Sequence, residues 1–157
     1  MGKTEERLAG LGIELLDPPV PQASYVPCVQ VGSLLFLSGQ GTRYRGERRY
    51  LGKVGGEITA EEAGQAAQIC ALNLLAQMKA YLGTLDRVKR IVHLKGFVAS
   101  DPGFTGQAQV MNQASDLLED VFGEAGKHTR TAIGVAVLPG NISVEAELIA
   151  EIKEDGE

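Results

Sequence analysis

The sequence predicts an α+β domain in which two helices cover one face of a single β-sheet. Two long segments, at about residues 60–82 and 104–122, repeat apolar residues with the spacing of amphipathic helices. Shorter apolar or alternating segments surround them in the order strand, strand, helix, strand, helix, strand, strand. Both helices can bury their apolar stripes only against one face of the sheet. The other face has no cover within the chain, which favours a contact with another subunit.

The first part of the chain contains a short helix and a predicted hairpin. Residues 3–10 have the composition of a helix that ends at a glycine. The prolines of residues 17–21 then require extended or turning backbone, because each proline fixes φ and lacks an N–H. Gly32-Ser33 separates two apolar runs, 26–31 and 34–37, which is the pattern of a two-residue β-hairpin.

A polar segment and a well-marked helix occupy the middle of the chain. Residues 42–58 are basic and rich in glycine, and they predict a long loop or an irregular hairpin. Thr59 and Glu62 have the spacing of a capping box, in which a hydroxyl and a carboxylate satisfy the first amides of a helix. We therefore expect a helix from Ala60 to Leu82 that ends at Gly83.

The last part of the chain is predicted to add three strands and the second helix. Residues 87–99 alternate as a strand does, and the helix follows from about Phe104 to Phe122. Residues 130–147 then read as two strands around a turn at residues 138–141. We expect one domain over residues 1–157, of which residues 1–19 form an N-terminal extension.

The faces of the last two strands point to a functional site. One face of the first strand carries its bulky residues, Thr131, Ile133, Val135 and Val137. If that face packs on the core, Arg130 projects away from it, among Ala132 and Gly134, and Glu145 of the next strand does the same. A permanent cation and a carboxylate among such small residues predict a site for an anionic ligand or a close subunit contact.

Composition narrows the class of protein. The 157 residues are 44% hydrophobic and 22% charged, and the net charge of −5 argues against nucleic acid as the main partner. No secretory signal and no apolar run of membrane-spanning length is present, so a cytoplasmic location is expected and a membrane partner is not. Cys28 and Cys70 lie in apolar contexts and are expected to be packed thiols rather than metal ligands, and no metal site is predicted.

Several motifs resemble those of the RidA family, also called the YjgF family and formerly described as L-PSP endoribonucleases. The motifs are Tyr25, Ser38-Gly39-Gln40, Asn112, Arg130, Leu138-Pro139 and Val144-Glu145-Ala146-Glu147. Ser-Gly-Gln alone is a weak signal, but its combination with the distant arginine, Leu-Pro and Val-Glu-x-Glu motifs is specific. The resemblance covers roughly residues 20–152. It implies a chorismate mutase-like fold with a mixed sheet, and a homotrimer around a central barrel with sites in the clefts between subunits.

The resemblance also implies an activity, which is the hydrolysis of reactive enamines and imines to 2-oxo acids and ammonia without a metal or cofactor. Arg130 would pair with the carboxylate of the substrate, and Glu145 would orient or activate the attacking water. Tyr25 would line the cleft, while Ser38 and Asn112 would offer hydrogen bonds.

Departures from the family pattern leave the substrate open. Ala132 stands where many members carry cysteine, at a position where main-chain groups are thought to act, and Gly134 replaces a larger residue that is often acidic. The segment between Gln40 and Thr59 is longer and more basic than in the short RidA enzymes. These features indicate a divergent branch.

The sequence is also compatible with other roles for Arg130 and with other functions of the protein. Arg130 is also compatible with a structural pair to Glu145 or Glu147 across a subunit contact. A trimer that binds small carboxylates without turnover, or acts as a chaperone, would use the same clefts. A ribonuclease would use the basic residues of the segment 43–53, which are interleaved with two tyrosines. That segment also fits a solvated loop, or one that selects a second anionic group on the substrate.

Overall fold

The computed structural model describes all 157 residues and has the predicted α+β class. Its helices are α1 (Lys3–Gly10), α2 (Ala60–Leu82) and α3 (Gln107–Phe122). Its strands are β1 (Cys28–Val31), β2 (Leu34–Gln40), β3 (Arg43–Tyr44), β4 (Glu47–Arg48), β5 (Val88–Ala99), β6 (Thr129–Val135) and β7 (Val144–Ile152). Five strands form a mixed sheet in the order β1-β2-β7-β5-β6, in which only β5 and β6 run parallel. Strands β3 and β4 form a separate small hairpin.

Helices α2 and α3 cover one face of the sheet, as the sequence predicts. Alternate residues of β7, among them Val144, Ala146 and Leu148, point to the helices and are buried. They belong to a core of 31 buried residues that includes the apolar stripes of both helices. None of the helices combines the length and the apolar composition that spanning a bilayer requires.

The start of α2 follows the local chemistry of its first turn. The Thr59 hydroxyl accepts a hydrogen bond from the Glu62 amide at 3.1 Å, and the Glu62 carboxylate accepts one from the Thr59 amide at 3.1 Å. Both halves of the predicted capping box are therefore present. The helix ends at Gly83, whose φ of 84° suits a residue without a side chain.

Helix α3 begins three residues later than predicted, at Gln107 instead of Phe104. The Phe104 amide instead closes a turn by donating to the Asp101 carbonyl at 2.9 Å. Gly103 and Gly106 lie in this stretch, and glycine is a poor helix former, so the regular helix starts only after Gly106.

The basic segment after β2 is an irregular hairpin whose base is fixed by α2 and by the turn before β7. The buried side-chain amide of Asn73 donates to the carbonyls of Gly41 at 3.0 Å and Arg43 at 2.9 Å. On the other side, the Ser143 amide donates to the Tyr50 carbonyl at 3.1 Å. The hairpin is thus held at both ends, and its β3–β4 tip projects beside the end of β2.

The face of the sheet opposite the helices, here called the open face, has no cover within the chain. Several large apolar side chains are exposed on it, including Val29, Val31, Phe36 and Ile133. Exposed apolar groups gathered on one face of a sheet are typical of surfaces that contact another protein chain.

Candidate functional site

A cavity of about 540 Å³ lies where β2 ends and β7 begins. Three of the predicted site residues, Tyr25, Ser38 and Glu145, line it together. The proline-rich segment, the β3–β4 hairpin and the turn before β7 complete its walls. These residues come from distant parts of the chain and meet because β2 and β7 are neighbours in the sheet.

A β-bulge explains why the Ser-Gly-Gln motif lies at this cavity. The antiparallel register of β2 and β7 shifts between Leu37 and Gln40, so that Ser38 and Gly39 together oppose a single residue of β7. A side chain on Gly39 would meet the Glu145 carboxyl carbon at 3.0 Å, so the missing side chain leaves the space that Glu145 occupies. The Ser38 hydroxyl donates to the Val26 carbonyl at 2.7 Å and so ties the cavity wall to the segment just before β1.

Glu145 is a half-buried carboxylate without an ionic or hydrogen-bonding partner in the chain. Burial raises the pKa of Glu145 above its usual value, and the negative charge of Glu147 raises it further. A carboxylate with a raised pKa is a better proton acceptor than an ordinary surface glutamate.

Arg130 of β6 lies against α3 and makes three hydrogen bonds to it. Nη1 donates to Asn112 Oδ1 at 2.9 Å and to Ser115 Oγ at 3.1 Å, and Nη2 donates to the Ala108 carbonyl at 3.1 Å. All three partners are neutral, and no carboxylate forms an ion pair with Arg130. Two of the five N–H groups of the guanidinium remain available, together with its full positive charge.

Two further residues hold this arginine in place. Ser115 Oγ is 2.9 Å from His128 Nε2, and His128 Nδ1 is 2.6 Å from the Gly126 carbonyl. A carbonyl can only accept, so His128 donates from Nδ1 to Gly126, and its Nε2 forms a hydrogen bond with the Ser115 hydroxyl that accepts from Arg130. Ser115 was not among the predicted site residues, although it lies three residues after Asn112 and so shares its face of α3.

The prediction that Arg130 and Glu145 share a face of the sheet is wrong. Arg130 pairs in register with Leu94, which is buried under the helices, whereas Glu145 pairs with Phe97 on the open face. The bulky residues of β6, Thr131 and Ile133 among them, point to the open face. The small ones point to the helices because α3 lies close there.

Two examples show how close α3 lies to the sheet. A side chain on Gly96 would meet the Met111 sulfur at 2.4 Å, and one on Gly134 would meet Gln107 Nε2 at 2.8 Å. The candidate residues therefore form two groups within one chain. Arg130, Asn112 and Ala132 lie at the β6–α3 edge, with Ala132 against the core, and the other three line the cavity.

The two groups suit different parts of one reaction. The β6–α3 edge offers an uncompensated guanidinium for an anion, and the cavity offers a carboxylate suited to accept a proton. No group of three or more histidine, cysteine or carboxylate side chains converges in a way that would hold a metal ion. The basic β3–β4 hairpin forms part of the cavity wall, but neither anion binding at the β6–α3 edge nor proton acceptance by Glu145 requires it.

Comparison with known proteins places this fold in a family. Residues 5–152 match the family described as "YjgF/chorismate mutase-like, putative endoribonuclease". Protein TCP17 of Trypanosoma cruzi is 43% identical over 152 residues, which cover 96% of this chain and 95% of that protein. The crystal structure of Atu1372 from Agrobacterium tumefaciens, described as of unknown function, is 44% identical with a TM-score of 0.90 and covers 96% of this chain and 92% of that one.

A third relative has an even closer backbone. The crystal structure of a "putative endoribonuclease" from Shewanella oneidensis is 34% identical, has a TM-score of 0.93 and covers 96% of this chain and all of that one. More distant structures of the family, at 21–24% identity, have TM-scores of 0.59–0.62 and share the fold. This chain belongs to the YjgF/chorismate mutase-like family.

Proposed function

We propose that this protein hydrolyses 2-imino acids, and the enamines in equilibrium with them, to 2-oxo acids and ammonia. The observation that carries the proposal is the guanidinium of Arg130, which is held by three neutral partners and has no counter-charge within the chain. An arginine fixed in this way is prepared to bind a carboxylate through two parallel hydrogen bonds. The α-carboxylate of a 2-imino acid is such a group.

The chemistry needs few protein groups, because a protonated imine carbon is already electrophilic. The oxygen of a water molecule adds to that carbon, the C=N π electrons move to nitrogen, and a carbinolamine forms. Glu145 accepts a proton from the water during the addition. The nitrogen of the carbinolamine then takes up the proton that Glu145 gained and leaves with its electron pair as ammonia. The hydroxyl releases its proton to solvent, and the C–O bond becomes the carbonyl of the 2-oxo acid. Positioning of water and carboxylate supplies most of the rate in this scheme.

We propose that two copies of the chain form each site within a homotrimer. Arg130 and Glu145 lie on opposite faces of the sheet, so one chain does not bring them to the same substrate. A neighbouring copy that covers the open face would bring its own Arg130 edge towards the cavity. The exposed apolar side chains of the open face support such a contact.

The histidines argue against a ribonuclease that uses a pair of imidazoles as acid and base. His128 lies beside α3 and uses both ring nitrogens, towards Ser115 and the Gly126 carbonyl. His93 lies on β5, where its Nδ1 bonds the Thr129 hydroxyl at 2.8 Å. The two rings therefore belong to separate parts of the structure, and neither lines the cavity with Glu145.

A coupled assay tests the proposal. An amino-acid oxidase generates imines from a panel of amino acids, and semicarbazide traps the imine that is not hydrolysed. We expect the protein to lower semicarbazone formation for at least one amino acid. If no amino acid shows a decrease while 2-oxo acids still bind, the protein is a carboxylate-binding module instead. RNA cleavage that falls with removal of the hairpin arginines would support the ribonuclease reading.

Glu145→Gln should lower imine hydrolysis and raise stability at the same time. Loss of the proton acceptor is expected to reduce kcat by about 100-fold. The pKa of Glu145 is higher in the folded protein than in the unfolded chain, so ionisation of this carboxyl destabilises the fold. In wild type this destabilisation is absent below the unfolded pKa and increases as the pH rises through the folded pKa. The variant should therefore have a higher urea midpoint at pH 7, with a smaller difference near about pH 4.

A matched control is Glu151→Gln, on the same face of β7 but outside the cavity. It should change neither the rate nor the urea midpoint appreciably, because its contact with Lys89, at 3.8 Å, is exposed. In wild type, protonation of Glu145 should lower kcat/KM at low pH. The role assigned to Glu145 is contradicted if Glu145→Gln keeps wild-type kcat, or if the same fall of kcat/KM at low pH persists in the variant.

A further inference from the structure

The cavity has a second feature that imine hydrolysis alone does not require, namely two arginines of the β3–β4 hairpin in its wall. Arg43 and Arg48 both line the cavity that contains Glu145 and Ser38. They are direct partners in the antiparallel register of the hairpin, so their side chains leave the same face. Their Cβ atoms are therefore about 5 Å apart.

Two like charges opposite each other on a strand pair are unfavourable unless something negative neutralises them. The ion pairs of the structure involve Arg87, Lys89 and Lys127 and neither of these two arginines. Arg43 donates one hydrogen bond to the Gly46 carbonyl at 2.8 Å, and the rest of its guanidinium has no carboxylate partner. An anion that reaches both guanidinium groups would relieve the repulsion and bind through several charge-assisted hydrogen bonds.

The backbone that carries the two arginines is fixed beside the cavity. Arg48 lies directly against Gly140, where a side chain would meet its Nη1 at 2.5 Å. The base of the hairpin is anchored through Asn73. The anchored backbone keeps both guanidinium groups within reach of the cavity, and the exposed Arg48 side chain makes no hydrogen bond or ion pair of its own.

We propose that Arg43 and Arg48 bind a second carboxylate, so that the preferred substrates are the imines of acidic amino acids. This inference rests on the proposed function, in which the α-carboxylate is bound by Arg130. The positive wall and the carboxylates of Glu145 and Glu147 lie on different elements around the cavity and form no ion pair with each other. A dicarboxylic substrate would place its side-chain carboxylate on the hairpin wall and its imine carbon towards Glu145.

The test compares two imines of equal carbon number, generated by oxidases from glutamate and from norvaline, in the trapping assay. We expect wild type to hydrolyse the glutamate imine with at least about tenfold higher kcat/KM. Arg43→Gln and Arg48→Gln should each remove that preference, because they should lower kcat/KM for the glutamate imine far more than for the norvaline imine. Arg45→Gln is the matched control, because Arg45 stacks on Tyr44 at 5.4 Å in the same hairpin and does not line the cavity.

The outcomes separate this inference from the proposed function. Equal rates for the two imines in wild type, or a preference that survives Arg48→Gln, would overturn the dicarboxylate subsite while imine hydrolysis stands. If no imine is hydrolysed, the proposed function fails. The dicarboxylate subsite is then tested by calorimetric measurement of the binding of 2-oxoglutarate and 2-oxopentanoate. Tighter binding of 2-oxoglutarate that Arg48→Gln abolishes would support the subsite. Equal affinities, or no binding, would refute it.

Discussion

Replacement of Arg130 by alanine is expected to lower kcat/KM for 2-imino acids by about 100-fold or more. Two charge-assisted hydrogen bonds to the substrate carboxylate are lost, each worth about 1.5–3 kcal/mol, and about 1.4 kcal/mol corresponds to a factor of ten. Arg130→Lys keeps the charge but not the paired donors, so it should fall between alanine and wild type. The trapping assay with purified variants measures both effects.

The control for this prediction is Arg87→Ala, which removes an equal charge from a solvent-exposed pair with Asp155. Such pairs contribute little, so activity and fold should both remain. The fold should also survive Arg130→Ala, because Asn112 is exposed and water can replace the lost donor. An Arg130→Ala variant with wild-type kcat/KM would refute the role proposed for this residue.

A mixing experiment tests whether Arg130 and Glu145 act across a subunit boundary. Arg130→Ala and Glu145→Gln chains, each expected to be about 100-fold less active alone, are co-expressed so that they assemble at random. If each site takes Arg130 from one copy and Glu145 from its neighbour, about one quarter of the sites regain both wild-type residues. Recovery of about that activity supports the shared site, and no recovery means that the two residues serve the same chain or that the chains do not mix.

Gly126→Ala is expected to be the most damaging single-methyl change, with a loss of about 2–4 kcal/mol in the free energy of unfolding. The new Cβ would lie 2.2 Å from the Leu118 carbonyl oxygen and 2.9 Å from the Glu119 Cα, both backbone atoms of α3. Backbone cannot rotate away as a flexible side chain does, so α3 or the turn Gly123–Gly126 must move. The melting temperature should fall by about 5–10 °C.

The same change should also weaken substrate binding, because the Gly126 carbonyl is the far end of the chain of hydrogen bonds through His128 and Ser115 to Arg130. Gly103→Ala is the control, since open space surrounds that position and its backbone does not require glycine. Calorimetry and the trapping assay on both variants measure stability and binding. Equal melting temperatures for the two variants would contradict the prediction and show that the segment Gly123–Gly126 can move to accommodate the methyl group.

The elements of this fold follow closely from local signals in the sequence. The bounds of α2 agree with the prediction at both ends because Thr59, Glu62 and Gly83 act within a single helical turn. The hairpin around Gly32-Ser33 is also present, with Val31 opposite Leu34. The start of α3 was less predictable, because a tertiary turn competes with the helix at Phe104.

The arrangement of the candidate site follows from packing between distant segments, and the sequence predicted it only in part. The alternation in β6 separates bulky from small residues correctly, but it does not reveal which face the helices cover. The close approach of α3 at Gly96 makes the small face the covered one, so Arg130 points towards Asn112. The meeting of Arg43 and Arg48 with Glu145 likewise depends on how the hairpin docks beside β2 and β7.

The two cysteines have a consequence for the tolerance of this protein to oxidants. Burial raises the pKa of Cys28 to about 11, and burial together with the charge of Glu145 raises the pKa of Cys70 as well. Because of these raised pKa values, both thiols stay protonated at neutral pH. Peroxide reacts with the thiolate form, so we expect both cysteines to resist oxidation by peroxide. Cys28 and Cys70 are the two cysteines of the chain, and Ala132 in β6 adds no thiol beside Arg130. The hydrolysis proposed above uses neither thiol, so we expect treatment of the protein with peroxide to leave its rate unchanged.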